Sequence, residues 1–290
     1  MINSVDSHIG SAQLTPDQAD WAQRINILIK KGLALHSTGD FTNALDQFDR
    51  AITQDVGNEN IWYYRAQVHM RLQAYESALQ DFRQALRLNP THAKAWHGLG
   101  VAKAYLRLYP SAVDSFERAA AYDPKNDKIW YNRGRALLQL AQYEKALESF
   151  DRAIALNPQK HHTWYSRALV LAALEDIRPA IASLEQVTRL KPSCHYAWNY
   201  KGTLLNRIGQ HQSALESFWE SLKHRTPNPN AWYGIAASYA QQGDPTAAAI
   251  HLQQAVQLHP EIYTLMARKD ISFDAVRAYP KIAEILRPKF

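Results

Sequence analysis

DKIWYNRGRALLQLAQYEKALESFDRAIALNPQK, residues 127–160, is the stretch whose reading decides the fold. It is 34 residues long, and its pattern recurs without insertion over 25–58, 59–92, 93–126, 127–160, 161–194, 195–228 and 229–262. Tryptophan marks the fourth place of six copies: Trp62, Trp96, Trp130, Trp164, Trp198 and Trp232. The eighth place is always small: Gly32, Ala66, Gly100, Gly134, Ala168, Gly202, Ala236. The twentieth is Ala in all seven, from Ala44 through Ala146 to Ala248. The twenty-fourth is Phe48, Phe82, Phe116, Phe150, Leu184, Phe218 and Leu252. The thirty-second is Pro in five: Pro90, Pro124, Pro158, Pro192 and Pro260.

Places 4, 8 and 11 share one face of a helix, and places 20, 24 and 27 share one face of a second. Small residues at 8 and 20 let the two backbones approach, and a large ring fills the space beside them. Proline at 32 removes a backbone donor and stops the second helix. Each copy is therefore an antiparallel helical hairpin, and a hairpin that cannot bury both faces alone must stack on its neighbours. The predicted fold class is all-α, a solenoid of such hairpins. On this reading the six Trp rings are core. Burying one ring of about 150–250 Å² at about 25 cal/mol/Å² is worth roughly 4–6 kcal/mol gross, which predicts a cost of about 3–5 kcal/mol for Trp130→Ala.

The combination W-x-x-[small]-x-x-[small], then Ala at 20, an aromatic at 24, a small residue at 27 and Pro at 32, resembles the tetratricopeptide repeat (TPR) family. The resemblance covers 238 of the 290 residues and implies a right-handed superhelix. Departures are few: Leu28 replaces Trp and Val56 replaces Pro in the first copy, Thr226 precedes Pro227 in the sixth, and Pro245 stands where an aromatic is usual in the seventh.

The ends divide the chain into a flexible segment 1–14, the repeat array 15–262 and C-terminal capping helices 263–290. The first fourteen residues lack the basic start and apolar run of a signal peptide. Thr15, Pro16 and Gln18 form a helix start with cap, first-turn proline and capping-box partner, so the first helix begins near Pro16 and carries Trp21 on extra turns. Glu261 to Lys269 reads as a short helix, and Phe273–Leu286 as another interrupted at Pro280. Phe273, Val276, Arg277 and Pro280 resemble the tail that closes bacterial TPR arrays.

Composition, 46% hydrophobic and 21% charged, is that of an ordinary soluble fold. A net charge of +6 is too weak to indicate nucleic acid by itself. The single cysteine, Cys194, allows no internal disulfide. No apolar run approaches the roughly 20 residues of a membrane helix, and a cytoplasmic location is the default expectation. A glycine-rich phosphate loop, HExxH, CxxC and a nucleophile elbow are all missing. His161 and His162 are adjacent and His92 and His97 five apart, both poor metal spacings. The chain is therefore expected to be no enzyme and to hold no catalytic residue, cofactor or metal.

The resemblance implies that first helices line a concave groove, with places 2, 5, 6, 9, 12 and 13 facing it. None of those 42 places is Asp or Glu although the chain has 27 acids, while six are Lys or Arg and eight are Tyr. The candidate contact residues are Tyr63, Gln67, Arg71, Lys94, His97, Tyr105, Lys128, Tyr131, Asn132, Arg135, His162, Tyr165, Tyr196, Asn199, Tyr200, Asn206, Arg207, Asn230 and Tyr233. Amides pair with a strand's backbone, phenols give flat contact at low entropy cost, and cations attract carboxylates. That favours another protein, engaged through an extended acidic segment, with nucleic acid disfavoured and no membrane insertion. The Lys/Asn clamp by which chaperone-binding TPR domains hold a terminal carboxylate is absent, since Asn132 is the only Asn at place 6. Cations at place 7 are expected to meet place 25 of their own hairpin: Lys31 with Asp49, Arg133 with Asp151, Arg167 with Glu185. The leading reading is a non-enzymatic scaffold or adaptor, with assembly of a larger complex as an extension suggested by the resemblance. An RNA-binding solenoid and a regulatory subunit of an enzyme are the competing readings.

Overall fold

Each copy of the repeat folds as two helices in the computed structural model, which describes residues 16–287. The expected flexible segment 1–14 lies outside the described residues. The chain divides into two compact units, residues 1–124 and 125–290. The first holds three hairpins, α1 (Pro16–Thr38) with α2 (Phe41–Gln54), α3 (Glu59–Arg71) with α4 (Tyr75–Leu88), and α5 (Ala93–Tyr105) with α6 (Tyr109–Tyr122). The second holds four: α7 (Asp127–Gln139) with α8 (Tyr143–Leu156), α9 (His161–Ala173) with α10 (Ile177–Leu190), α11 (His195–Arg207) with α12 (His211–His224), and α13 (Pro229–Gln241) with α14 (Pro245–Leu258). It ends in α15 (Pro260–Lys269), a 3-10 turn (Ile271–Val276) and α16 (Pro280–Leu286). The long first helix begins at Pro16 and leaves Trp21 exposed. No strand occurs among the described residues.

The centre of each hairpin is the ring at place 24, not the tryptophan. Phe48, Phe82, Phe116 and Phe150 are 0% exposed and Phe218 is 1% exposed. Four of these rings lie against the glycine at place 8 of the same hairpin. A Cβ on Gly32, Gly100, Gly134 or Gly202 would stand 2.8, 2.6, 2.8 and 2.8 Å from Phe48, Phe116, Phe150 and Phe218. Where place 8 is Ala168 or Ala236, place 24 shrinks to Leu184 or Leu252. The exception, Ala66 with Phe82, finds room in the next hairpin, where a Cβ on Gly98 would come within 2.3 Å of the Phe82 ring.

The turn inside each hairpin has one geometry. The residue at place 15 has positive φ in every copy: Gly39 (87°), Gln73 (60°), Arg107 (60°), Ala141 (54°), Glu175 (63°), Gly209 (76°) and Gly243 (76°). The amide one residue on reaches back to the carbonyl at place 11, as in Gln142 to Leu137 at 3.0 Å and Asp244 to Tyr239 at 3.0 Å. That is a Schellman closure, which terminates the first helix and aims the second.

The tryptophans correct the sequence reading. All six are only half-buried. Four donate their indole N–H across the turn between hairpins: Trp62 to the carbonyl of Val56 at 3.0 Å, and Trp96, Trp164 and Trp198 to Pro90, Pro158 and Pro192 at 2.8 Å each. The indole needs a polar partner, and the turn carbonyl supplies one at the rim of the core. A cation from place 7 lies over the ring: Arg65 on Trp62 (4.8 Å), Arg133 on Trp130 (5.9 Å), Arg167 on Trp164 (6.0 Å) and Lys201 on Trp198 (5.5 Å).

The expected pairing of those cations also changes. Place 7 lies midway between two second helices, sixteen residues on and sixteen residues back. Arg65 holds Asp81 of its own hairpin through two nitrogens (2.9 and 2.6 Å) and Asp49 of the preceding one through a third (2.6 Å). Arg167 takes Asp151 of the preceding hairpin (2.6 Å) and Ser183 of its own (2.8 Å), not Glu185. Glu185 is left to Lys201 at 3.2 Å. Asp49 and Asp151 are thus held by Arg65 and Arg167 rather than by Lys31 and Arg133, and Arg133 donates to Ser149 at 2.7 Å.

Four outcomes test this packing. Phe150→Ala empties the seat of a fully buried ring and is expected to cost about 3–5 kcal/mol. Trp164→Ala removes a half-buried ring and one hydrogen bond, so its cost in denaturant titration is expected to be clearly smaller; the reverse order would contradict the assignment. Ala141→Gly relieves an exposed residue from left-handed backbone and is expected to stabilise by up to about 1 kcal/mol. Finally, burial is the leading cause that lowers the pKa of His36, His69, His92, His161, His162, His195 and His251 below the ordinary 6.5. The unfolded chain therefore binds more protons than the folded one below that value. Stability is complete above pH 6.5 and falls as pH drops through the lowered values. Melting curves between about pH 7.5 and pH 5 should show Tm decreasing with acidification; a level or rising Tm would count against it.

Candidate functional site on the first helices

The first helices offer two separately described faces, one in each unit. In the first, α3 and α5 flank a concavity of ≈ 460 Å³ lined by Asn60, Tyr63, Tyr64, His92, Ala93, Lys94 and Asp123. Tyr63 is wedged 5.0 Å from the His92 ring and 6.1 Å from Phe82. Burial, then the neighbouring Tyr64, raises its pKa, so its hydroxyl stays a neutral donor. His92 caps α5 by accepting the Ala95 amide at Nδ1 (3.1 Å), and burial keeps its ring neutral. Lys94 is exposed at the mouth. Of the other candidates here, Gln67 and His97 are half-buried, His97 lying 5.9 Å from Phe116. Arg71 sits over the Phe41 ring at 5.4 Å, and Tyr105 stacks on Tyr75 at 4.7 Å with an interplanar angle of 3°. Both reach back to the preceding hairpin.

In the second unit, Lys128, Tyr131 and Arg135 form one stripe on α7, spaced three and four residues apart. The Arg135 guanidinium lies over the Tyr131 ring at 5.8 Å, and the His162 ring meets that tyrosine edge-on at 4.7 Å. Lys128 and Arg135 are exposed, and no carboxylate pairs with either among the described residues. His162 has a lowered pKa, first through burial and then through His161, Lys160 and Arg135 against the pull of Asp127, and is neutral. Asn132 is half-buried beside this stripe.

The next two first helices carry a tyrosine cluster. Tyr165 contacts Tyr196 at 4.8 Å and Tyr200 at 6.3 Å. Burial is the leading cause that raises all three pKa values. Asn199 donates to Asn228 (3.2 Å), while its Oδ1 is buried without a partner among the described residues. Asn206 is tied to Ser238 at 2.9 Å, and Arg207 is paired with Glu175 of the preceding turn.

Two expectations are corrected. Tyr233 is buried (8% exposed) under the C-terminal segment, donating to Asp270 at 2.7 Å and packing on Phe273 at 5.7 Å, so it presents nothing to a ligand. Asn230 likewise accepts from the Tyr263 hydroxyl at 2.6 Å. The face is also not free of carboxylates. Asp123, Glu175 and Asp270 enter from turns and the cap, which lie outside the six places taken as groove-facing. The signal for them was their position in the repeat, places 31 and 15, where the chain bends back toward the first helices. No group of three or more His, Cys, Asp or Glu suited to a metal occurs among the described residues, and none of their helices is long and apolar enough to cross a membrane.

The family description "Tetratricopeptide repeat" matches residues 59–92, 127–160, 165–223 and 207–261, together more than half of the chain. No curated protein matches it. Among solved structures, a tetratricopeptide repeat protein from Parabacteroides merdae aligns at TM-score 0.60 and 15% identity, over 88% of this chain and 98% of that one. The Pseudomonas aeruginosa pilF protein aligns at TM-score 0.60 and 18% identity, over 76% and 96%. YrrB, described as a TPR protein with an unusual peptide-binding site, aligns at TM-score 0.58 and 24% identity, over 63% and 95%. With its hairpins, turns and place-by-place pattern in agreement, the chain belongs to the tetratricopeptide repeat family.

Proposed function

We propose that the chain is a non-enzymatic scaffold that docks an extended acidic segment of a partner protein on its first-helix faces. Repeats of this family support a protein-interaction scaffold, and a peptide-binding site is described for YrrB. The observation that carries the acidic preference is the α7 stripe: two exposed cations, Lys128 and Arg135, with Tyr131 between them and no internal carboxylate partner among the described residues. A cation already held over a ring keeps its geometry when a carboxylate arrives, so little side-chain entropy is lost. Neutral phenols at Tyr165 and Tyr200 add donors to such an anionic chain. Assembly of a larger complex is the process that a scaffold of this kind would serve.

An RNA partner is less well matched. Stacking on bases needs an open ring face, and Tyr131 has Arg135 over its ring with His162 against its edge.

Fluorescence anisotropy with a labelled peptide of alternating Glu and Ser tests the reading. Lys128→Glu with Arg135→Glu is expected to weaken binding at least roughly tenfold with an unchanged circular-dichroism spectrum. Equal affinity of wild type and variant would remove α7 from the binding face. A single-stranded RNA bound more tightly than the peptide, with a steep loss between low and moderate salt, would replace this reading by the nucleic-acid one.

A further inference from the structure

Place 25 of one copy and place 7 of the next follow a charge rule at four of the six junctions; α12 leaves it uncharged, with Trp219 and Ile235, and α4 reverses its sign. Place 25 of one hairpin and place 7 of the next are acid and cation in Asp49/Arg65, Glu117/Arg133, Asp151/Arg167 and Glu185/Lys201. Arg65 to Asp49 at 2.6 Å in the first unit and Lys201 to Glu185 at 3.2 Å in the second show what the pairs do there: each ties one hairpin to the next. At the following hairpin of the first unit the acid is replaced by Arg83, and the opposite place is Leu99. Arg83 is exposed, and no carboxylate pairs with it among the described residues. One turn further along the same face stands Arg87, also exposed, whose guanidinium donates to Gln84 at 3.1 Å and is bonded to no acid among the described residues.

Both arginines line a concavity of ≈ 290 Å³ between α3 and α4, together with Gln80, Gln84, Trp62 and Arg65. Asp81 is the only carboxylate in its lining. That side chain is 4% exposed and takes two nitrogens of Arg65, whose third is held by Asp49. Arg65 and its acids are thus satisfied, and two guanidinium charges are left over. Lys103, whose pKa is lowered by burial and then by Arg83, turns to the Ser111 carbonyl (3.0 Å) and Ser115 hydroxyl (2.8 Å). A cation placed where four other copies have an anion, beside a second cation and two amides, is a receptor for an external anion.

We infer that this concavity binds a phosphoryl group carried on a serine or threonine side chain of a partner protein. Two guanidinium forks one helical turn apart, about 5–6 Å between their Cβ atoms, supply more donors than a single carboxylate uses. A phosphoryl group has three acceptor oxygens and up to two negative charges, which matches both forks and the Gln80 and Gln84 amides. The volume lies at the lower end of small-ligand sites and suits one phosphorylated side chain rather than a nucleotide. The site is on second helices and does not depend on the first-helix docking reading.

The experiment is a ³¹P NMR titration of a blocked Gly-Ser peptide bearing one central phosphoserine with the full-length protein. The phosphoserine resonance is expected to shift saturably, with a Kd on the order of millimolar or tighter for so short a probe. Arg83→Gln with Arg87→Gln should weaken this at least tenfold, and Lys128→Glu with Arg135→Glu should leave it unchanged. If the first double variant does not fold, Arg87→Lys, which keeps the charge but loses the fork, should still weaken binding. No saturable shift with wild type, or equal shifts with wild type and the Arg83/Arg87 variant, would overturn the proposal. Displacement of the peptide by an equal concentration of inorganic phosphate would reduce the site to one for a free anion. Displacement by the Glu counterpart peptide at equal concentration would remove the phosphoryl preference. Either result ends the inference.

Discussion

The closest approach of the two helices in a hairpin is set by a phenylalanine ring lying on a glycine. At Gly134 a single methyl group would overlap Phe150, so helix separation, side-chain volume and backbone entropy are decided together. Glycine in a helix interior costs roughly 0.5–1 kcal/mol against alanine. Burial of an entire Phe side chain, worth roughly 1.5–3 kcal/mol, offsets that cost within one hairpin. The correlated shrinkage to Leu184 opposite Ala168 and Leu252 opposite Ala236 shows volume being conserved pair by pair. Gly98 on Phe82 and Gly234 on Phe218 extend the same contact to the following hairpin, where a Cβ would fall 2.3 Å from the ring. One ring therefore sets both the spacing within a hairpin and the spacing between two.

Much of this is legible in the sequence. The 34-residue period, the small places 8 and 20, and the proline stops each map onto a helix face or an end in the structure. The rarest and largest residue does not mark the core. Tryptophan recurs in register because its ring carries an N–H, and the turn carbonyl six residues back is the acceptor it needs. Recurrence reports that a position is constrained, not whether it is buried. The left-handed residue at place 15 escaped notice for a related reason. Gln73, Arg107, Ala141 and Glu175 share no chemistry, and only the glycines among the seven hint that the backbone there is unusual.

The docking face is less legible in the sequence, because the six places do not act as one surface. Lys128 at place 2 and Arg135 at place 9 are exposed with no carboxylate partner among the described residues, whereas places 5, 6 and 13 are partly consumed by packing. Tyr63, His97 and Tyr131 rest on the phenylalanine of their own hairpin. Gly98 and Gly234 accommodate the ring of the preceding one. Arg71, Tyr105 and Arg207 reach back to the preceding turn. A helix that must contact two second helices and also offer a face to solvent has few residues left for a ligand, and a pattern of residue types cannot say which. Carboxylates enter from turns for the same geometric reason: the turn residues lie at the edge of the face, where a 34-residue register assigns them to no helix.

Fixing so many of these side chains has a consequence for recognition. Tyr131 is held by Arg135 above and His162 at its edge, and Asn206 by Ser238. Groups already immobilised in the free protein lose little entropy when a partner binds, so fewer contacts suffice for a given affinity. The same immobilisation limits what the face can accept, because neither Tyr131 nor Asn206 can turn to a new partner without giving up a packed ring or a hydrogen bond. Adaptability is then left to residues with fewer internal ties, the exposed Lys94 and Lys128, and these are cations. Long charged side chains on a rigid aromatic floor adjust to the spacing of carboxylates along a chain while the floor fixes where that chain runs.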